Sequence, residues 1–539
     1  MHGGGVHAVE LVFLSLLAFV VLFAAVARKL NRPYPIVLMV AGLLLSFLPR
    51  VPRVTLNPDI IFLIVLPPLL YSAAWLTSWR EFRFNLFSIF MLAFGLVAFT
   101  VFGVAFAAPL VFAGFTWQLG FLLGAVVSPT DSIAATSIAQ SLALPRRIID
   151  ILEGESLVND ASGLVALEFG LAMILRSQTP TAGEALGRLC YLTMAGIVIG
   201  LAIGKLVDGF ERHIDDGPIE IAVSILVPYA TYLAALAAHA SGVLAVIACG
   251  LYLSRKSAHF FSANVRLQAW AVWESLTFAL NGLVFVLIGL QLPYVLAGIR
   301  SYSMKQLLVY GATFSALLIV LRLLWMYPGA RFGYWFRTRV LHQDYPRPSS
   351  GGIFVLGWAG MRGVLALAAA MSLPEKVSDG SPFPQRNLII FLTFSVILVT
   401  LVLQGLTLPW VIRRLGLAGA SGPNCEAREA RRIMTRAALQ RLDEARAQDT
   451  PDLAPVYDDL KQHYEQRLQR LEGKSEDRNE SLQQYGRVLE VNRDLLRAER
   501  EAALSLRAAG RISDEVLRLI ERELDLRESE LTLAAESSA

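Results

Sequence analysis

The sequence predicts an all-α polytopic membrane protein with about thirteen transmembrane helices, two of them broken, followed by a helical tail outside the membrane. Two observations carry that expectation. Of 539 residues, 55% are hydrophobic and only 17% charged, whereas soluble domains are roughly 45–50% apolar and about 25% charged. The charge is also unevenly placed, since 45 of the 92 Lys, Arg, Asp and Glu residues fall in the last 119 positions, 20 basic and 25 acidic. The first 420 residues therefore carry 28 basic and 19 acidic groups and are about 11% charged. A soluble enzyme, a fibrous protein and a disordered chain are excluded. The expected division is a membrane domain over 1–415, a hinge over 416–424 and a tail over 425–539.

A spanning helix needs about 20 mainly apolar residues. Runs of that kind occur at 8–27, 34–49, 59–76, 86–108, 117–139, 151–175, 190–209, 218–238, 241–254, 271–297, 306–328, 352–373 and 388–412. The stretch before the first run has no basic region and no small-residue cleavage site, so that run is expected to stay as a span. Loops after the odd-numbered runs, with the start of the tail, hold 18 Lys and Arg, among them Arg28, Lys29, Arg146, Arg147, Arg255, Lys256, Arg337 and Arg347. Loops after the even-numbered runs hold eight, among them Arg50, Arg53, Arg176, Arg188 and Arg300. Short basic loops stay on the cytoplasmic side. The asymmetry puts the N-terminus outside the plasma (inner) membrane and the tail in the cytoplasm.

The same placement answers the basic pI of about 8.9. Basic charge in short loops anchors a membrane protein, so no nucleic-acid partner is expected. Cys190, Cys249 and Cys425 stand far apart with no CxxC, which argues against a disulfide framework or a zinc site. After the Gly/Pro/Ser stretch GLAGASGPN, apolar residues recur at helical spacing (Leu460, Tyr464, Leu468, Leu471). Ser513 with Asp514 and Glu515 reads as a helix start. The tail is expected to be a helical domain or an oligomerising hairpin whose charges form a solvated face.

A charge at the bilayer centre is costly, so an ionisable residue inside a span is a functional candidate. In SPTDSIAATSIAQ, Pro129 removes a backbone donor, Thr130 adds a hydroxyl and Asp131 a carboxylate. Freed carbonyls inside a membrane are tolerated only where they line a cavity or meet a partner, which is the composition of a broken helix at an ion site. The next run, ILEGESLVNDASGLVALEFG, spaces Glu155 and Asn159 four apart, and Ser156 and Asp160 likewise. Carboxylate, hydroxyl and amide oxygens suit a hard cation stripped of water. A packing knot of hydrogen-bonded groups is the blander alternative, and two aspartates, a glutamate, an asparagine and two hydroxyls within 31 residues exceed what packing needs.

Counter-charges follow in Arg322 and in Arg362, the latter among Gly357, Gly360 and Gly363. A Pro-interrupted and a Gly-interrupted run seven spans apart suit two inverted repeats with crossing broken helices. Glu274 and Asn281, seven apart, read as helix–helix glue, and Glu168 lies too far along its helix to share an ion with Asp160. P-loop, GxSxG and HExxH patterns are absent, so neither an enzyme nor a cofactor is expected.

At these residues the chain resembles the sodium/proton exchangers of the monovalent cation–proton antiporter family, in particular bacterial members with a cytosolic tail. The matching stretches are LPPLLYSAAW, SPTDSIA, EGESLVNDASGLV, SGVLAVIACGL, LNGLVFVLIGLQL and GMRGVLALA, in family order across the membrane domain. The tail stretch RISDEVLRLIERELDL looks like one found in these relatives. The resemblance implies thirteen helices with a dimerisation unit and a mobile core, and a homodimer. It implies that Asp160 binds cation or proton, with Asp131, Thr130 and Ser156 completing the site. Asn159 would stand for the second aspartate of electrogenic relatives, Glu155 would pair with Arg322, and Arg362 would support the crossing. Two positions depart from the family pattern, Ser72 and Leu236, where acids are common.

The expected activity is electroneutral exchange of Na+, with Li+ or K+ as alternatives, for H+, serving pH and sodium homeostasis. One carboxylate that holds either a proton or a cation enforces the coupling. The rival readings are a K+/H+ antiporter and a non-transporting membrane sensor acting through the tail.

Overall fold

The computed structural model describes residues 3–30, 32–48, 57–175, 181–214, 216–299, 302–343, 345–377, 380–419, 424–448, 453–472, 475–509, 511 and 513–538. The chain divides into two units, Met1–Ser421 and Gly422–Ala539. The loop arginines Arg50, Arg53, Arg176 and Arg300, and residues 420–423 of the expected hinge, lie outside the described residues.

The first unit begins with α1 (Gly3–Lys29), α2 (Tyr34–Leu45), α3 (Pro58–Leu76) and α4 (Trp79–Val111). Two short helices, α5 (Trp117–Val127) and α6 (Ile133–Ser141), precede the long α7 (Arg146–Leu175). There follow α8 (Ala182–Glu211), α9 (Gly217–Ala237), α10 (Gly242–Phe260), α11 (Ala263–Leu290), α12 (Leu292–Ala297) and α13 (Met304–Arg339). A second pair of short helices, α14 (Ser350–Trp358) and α15 (Val364–Met371), leads to α16 (Arg386–Arg414). Among the described residues, eight stretches are long and apolar enough to cross a membrane: α3, α4, α7, α8, α9, α11 with α12, α13 and α16. The protein is a multi-pass membrane protein.

Polar residues mark where the helices start. Thr181 with Glu184, and Ser303 with Gln306, form capping boxes at α8 and α13. Thr116, Asp216 and Ser349 cap α5, α9 and α14. Each cap satisfies main-chain N–H groups that the first helical turn leaves without partners.

Helix α5 sits at the centre of the unit, with eight of its eleven residues buried. It lies close to α4 because Gly120 and Gly124 face the main chain at Ala105 and Val101. Widened π-turns interrupt α3 at Ile61–Val65, α4 at Met91–Leu96 and α16 at Thr400–Gln404. Such turns leave carbonyls and hydroxyls free for other partners: Ala93 O accepts from Ser162 Oγ at 2.5 Å, and Thr400 Oγ1 accepts the Arg362 N–H at 3.2 Å.

In the second unit, α17 (Asn424–Gln448) and α18 (Ala454–Glu472) form a hairpin tied by Arg436–Glu472, Arg446–Asp458 and Lys461–Asp443. Helices α19 (Ser475–Ala508) and α20 (Asp514–Ser538) pair antiparallel. Their seam buries Leu489, Leu496 and Ala503 with Leu517 and Leu524, all seven residues apart along each helix, and Arg500 bridges Asp525 and Glu528. Ser513 Oγ accepts the Val516 N–H at 3.3 Å, the helix start expected from sequence.

Helices α2 and α11 touch through glycines. A β-carbon on Gly42 would fall 2.6 Å from Val286 O, and one on Gly289 would overlap the α2 main chain at Met39. Gly289→Val is therefore expected to cost about 1–3 kcal/mol, as overpacking does. A lower melting temperature of the detergent-solubilised protein checks this.

Candidate ion-binding site

The site grows from two interruptions in helical backbone. Between α5 and α6, residues 128–132 lie outside the helices, and Pro129 has no N–H with which to continue the helical hydrogen-bond ladder. Between α14 and α15, residues 359–363 are non-helical and carry Gly360 and Gly363. The two segments lie against each other, the Asp131 N–H donating to Met361 O at 2.8 Å. Gly363 makes room for this, since a β-carbon there would fall 2.5 Å from Asp131 Oδ2.

Each break frees carbonyls at the end of a half-helix, and an arginine covers each end. Arg362 donates from Nε to Val127 O at 3.0 Å and from Nη1 to Gly360 O at 2.5 Å. Arg322 donates from Nε to Gly357 O at 3.1 Å and from Nη2 to Leu356 O at 3.0 Å. A cation at a helix C-terminus also meets the negative end of the helix dipole. Gly360 is required here because a β-carbon would collide with the Arg322 guanidinium.

Helix α7 presents two faces to this crossing. On one, Glu155 takes two hydrogen bonds from Arg322, at 2.6 and 2.8 Å, with both side chains almost fully buried. The same Glu155 Oε1 accepts from Thr130 Oγ1 at 3.1 Å, and Asn159 Nδ2 donates to that hydroxyl at 2.6 Å. Gly163 on this face lets the Pro129 ring pack against α7. On the other face, Ser156 Oγ donates to Thr130 O at 3.0 Å and accepts the Ser132 N–H at 3.3 Å.

Asp131 Oδ1 accepts the Ile133 N–H at 2.8 Å, at the start of α6. Asp160, one turn past Ser156, has no hydrogen-bond partner among the described residues. Both carboxylates line a cavity of about 290 Å³ with Thr130, Ser156 and Asn281. A second cavity of about 600 Å³ shares Ser72, Leu76, Gln140 and Thr277 with it and extends to Trp270, Arg266 and Glu274. Together they connect Asp160 to the end of the helices where Arg266 lies.

The structure thus brings Thr130, Asp131, Ser156 and Asp160 to one cavity wall and sets Glu155, Asn159 and Arg322 behind Thr130. Arg362 sits at the crossing. Glu168 pairs with Arg188 at 3.1 Å on the surface. Several polar wall residues were not among the predicted site residues, Ser132, Thr136 and Gln140 among them. Asn281, read as helix–helix glue, lines the cavity, as do Thr277 and Glu153. Spacing carried the signal: Glu153, Ser156 and Asp160 follow i, i+3, i+7, as do Glu274, Thr277 and Asn281. Of the two departures, Ser72 lines both cavities, whereas Leu236 is exposed on α9 and lines neither.

Broken helices that cross beside carboxylates within the helix bundle are the architecture of an ion-coupled transporter. The transmembrane sodium/hydrogen exchanger model matches residues 15–414, and the chain belongs to that family. It is 33% identical over 525 residues to an uncharacterized Na+/H+ exchanger of Mycobacterium bovis, with 96% of each chain covered. It is 31% identical to a sodium, potassium, lithium and rubidium/H+ antiporter of Bacillus pumilus, over 82% of this chain and 68% of that one. Among solved structures, its fold is similar to that of the sodium proton antiporter MjNhaP1 from Methanocaldococcus jannaschii, at TM-score 0.58 and 19% identity, covering 76% of this chain and 99% of the other.

Removing one partner of a buried ion pair leaves the other charge uncompensated, at a cost of about 3–5 kcal/mol. Glu155→Ala is expected to lower stability by that order, because Arg322 keeps its two carbonyls but loses the one anionic partner it has among the described residues. Thermal unfolding in detergent, with Glu168→Ala as the exposed-pair comparison, measures it. A loss no larger than the comparison would remove the pair from its supporting role.

Proposed function

We propose that the chain exchanges Na+ for H+ across the plasma membrane by electroneutral antiport at Asp160, for pH and sodium homeostasis. The observation that carries this is a charge count at the crossing. Glu155 and Arg322 cancel by direct contact. The Arg362 guanidinium and the Asp131 carboxylate are opposite charges held at the same crossing of breaks. Among the described residues, Asp160 is the carboxylate beside the crossing that has no partner, on a wall that also carries Glu153 farther along α7. A single proton or a single monovalent cation neutralises it.

A bare charge is expensive in the membrane interior. The loaded site, with either ion, is neutral, whereas the empty site is not. If only neutral forms reorient, entry of one ion must be matched by exit of the other, one for one. Asp131, Thr130 and Ser156 are the further oxygens for the cation. Asn159, Glu155, Arg322 and Arg362 hold the scaffold around it.

In the same reading, α1, α2, α3, α4, α5–α6, α7, α8, α9, α10, α11, α13, α14–α15 and α16 are thirteen spans in two inverted repeats. The broken helices are then the fifth and twelfth spans. The N-terminus is outside, the tail is cytoplasmic and regulatory, and the joined cavities open to the cytoplasm beside Arg266. The protein works as a homodimer. Potassium is the second reading for the cation. Ser72, a neutral residue on the cavity wall, and the range of ions in the name of the Bacillus pumilus relative favour testing it.

The experiment is reconstitution in liposomes with a trapped pH dye and external Na+, Li+ or K+ in a concentration series. Internal alkalinisation that persists with the membrane potential clamped is expected, largest with Na+. Net charge movement that follows voltage would sink the one-for-one scheme. Asp160→Asn should abolish the signal while the protein elutes and melts like the native chain. Deleting 425–539 should leave measurable exchange, whereas the sensor reading predicts that all function goes with the tail.

A further inference from the structure

A third cavity, of about 240 Å³, lies between α4, α7, α13 and α14 and shares no lining residue with the two described above. Its chemistry is the reverse of theirs. Among the described residues, no Asp or Glu lines it, while Arg147 and Arg347 do. Two helices begin at its rim, α7 after Pro145 and α14 after its Ser349 cap, so the positive ends of two helix dipoles face it.

Among the described residues, the arginines around it have no counter-ion. Arg147 stacks 3.7 Å from the centre of the Tyr345 ring, and Arg337 stacks 4.0 Å from the same centre. Arg347 lies 5.9 Å from the Tyr334 ring. Arg147 donates to Pro346 O and Arg337 to Phe84 O, and none of the three forms an ion pair among the described residues. Arg337 is fully buried, with Nε and Nη1 lacking any acceptor. The segment 331–349 supplies four arginines against one acid, Asp344, which lies outside the described residues. The floor is apolar, formed by Met91, Ile151, Met326 and Leu356, with one buried donor, Trp325 Nε1, that has no acceptor.

Unpaired guanidiniums and helix N-termini call for a multivalent oxyanion, and arginine matches phosphate oxygens in a fork. The apolar floor calls for a hydrocarbon chain on the same molecule. We propose that this cavity binds an anionic phospholipid, with the phosphate head against Arg147, Arg347 and the starts of α7 and α14, and an acyl chain over the Ile151–Met326 floor. Basic pockets between membrane helices take such headgroups. This assignment does not depend on which cation the protein moves. It ties two elements of the exchange site, because α7 carries Glu155 and the α14 carbonyls hold Arg322.

The full-length protein, delipidated in detergent, is titrated with phosphatidylglycerol, with phosphatidylcholine of the same chains, and with inorganic phosphate. Retained lipid is read by native mass spectrometry and stabilisation by melting temperature. Phosphatidylglycerol alone is expected to be retained and to raise the melting temperature. Arg147→Gln and the exposed Arg347→Gln should each weaken retention about five-fold, the equivalent of about 1 kcal/mol per basic residue. Lys305→Gln, the same charge change at the far end of α13, should not. Phosphatidylglycerol brominated on its chain should quench native fluorescence more than that of Trp325→Phe. Equal retention of phosphatidylcholine, or unchanged retention in both arginine variants, would overturn the proposal. Equal stabilisation by inorganic phosphate would overturn the lipid as its source.

Discussion

Everything at the crossing depends on satisfying backbone carbonyls that two broken helices leave inside an apolar interior. Water is not available there to take their place, and each bare carbonyl costs several kcal/mol. Two arginines answer the need, Arg362 on the carbonyls of Val127 and Gly360, and Arg322 on those of Leu356 and Gly357. Each solution introduces a buried positive charge, which has its own cost. Glu155 removes it for Arg322, and the glycines at 360 and 363 let the compensating groups come close enough. The arginines, the glutamate and the glycines are therefore one solution and not independent features.

Helix α7 separates that scaffold from Asp160, the carboxylate proposed to exchange ions. Glu155, Asn159 and Gly163 lie four apart and turn toward the crossing, while Glu153, Ser156 and Asp160 turn toward the cavity. Thr130 is the joint between the two sides. Its hydroxyl belongs to the Glu155–Asn159 network and its carbonyl takes the Ser156 hydroxyl. In the proposed exchange, an ion arriving at Asp160 meets oxygens already positioned by a Glu155–Arg322 network that carries no net charge of its own. Such preorganisation lets occupancy of one carboxylate decide the charge of the whole site.

Much of this was legible in the sequence because the signals were local. Pro129 announced a break, and carboxylates in a run otherwise free of charge announced a site, since membrane interiors admit few residues of either kind without a reason. The pairing of Arg322 with Glu155 joins residues 167 apart, and spacing alone offered two arginines for the one glutamate. Family resemblance chose between them. What escaped were neutral or peripheral groups. Asn281 and Thr277 lie on α11, whose place on the same cavity as α7 no local pattern encodes, and Glu153 was passed over beside the more specific Glu155. The arginines at 147, 337 and 347 were read only as positive-inside anchors. That they surround a cavity with no acid depends on the packing of four separate helices.

Asn159 shows why a neutral residue matters as much as the charged ones. Its Nδ2 donates to Thr130 Oγ1 at 2.6 Å, which leaves the threonine proton free to point to Glu155. A carboxylate at 159 could only accept, so the single threonine proton would have to choose between two anions. It would also add a second negative charge one residue from Asp160, with no third arginine at the crossing to cancel it. The site would then need two positive charges to become neutral, and the proposed one-for-one coupling would be lost. The amide therefore sets two properties at once, the direction of the Thr130 hydrogen bond and the number of charges the empty site presents.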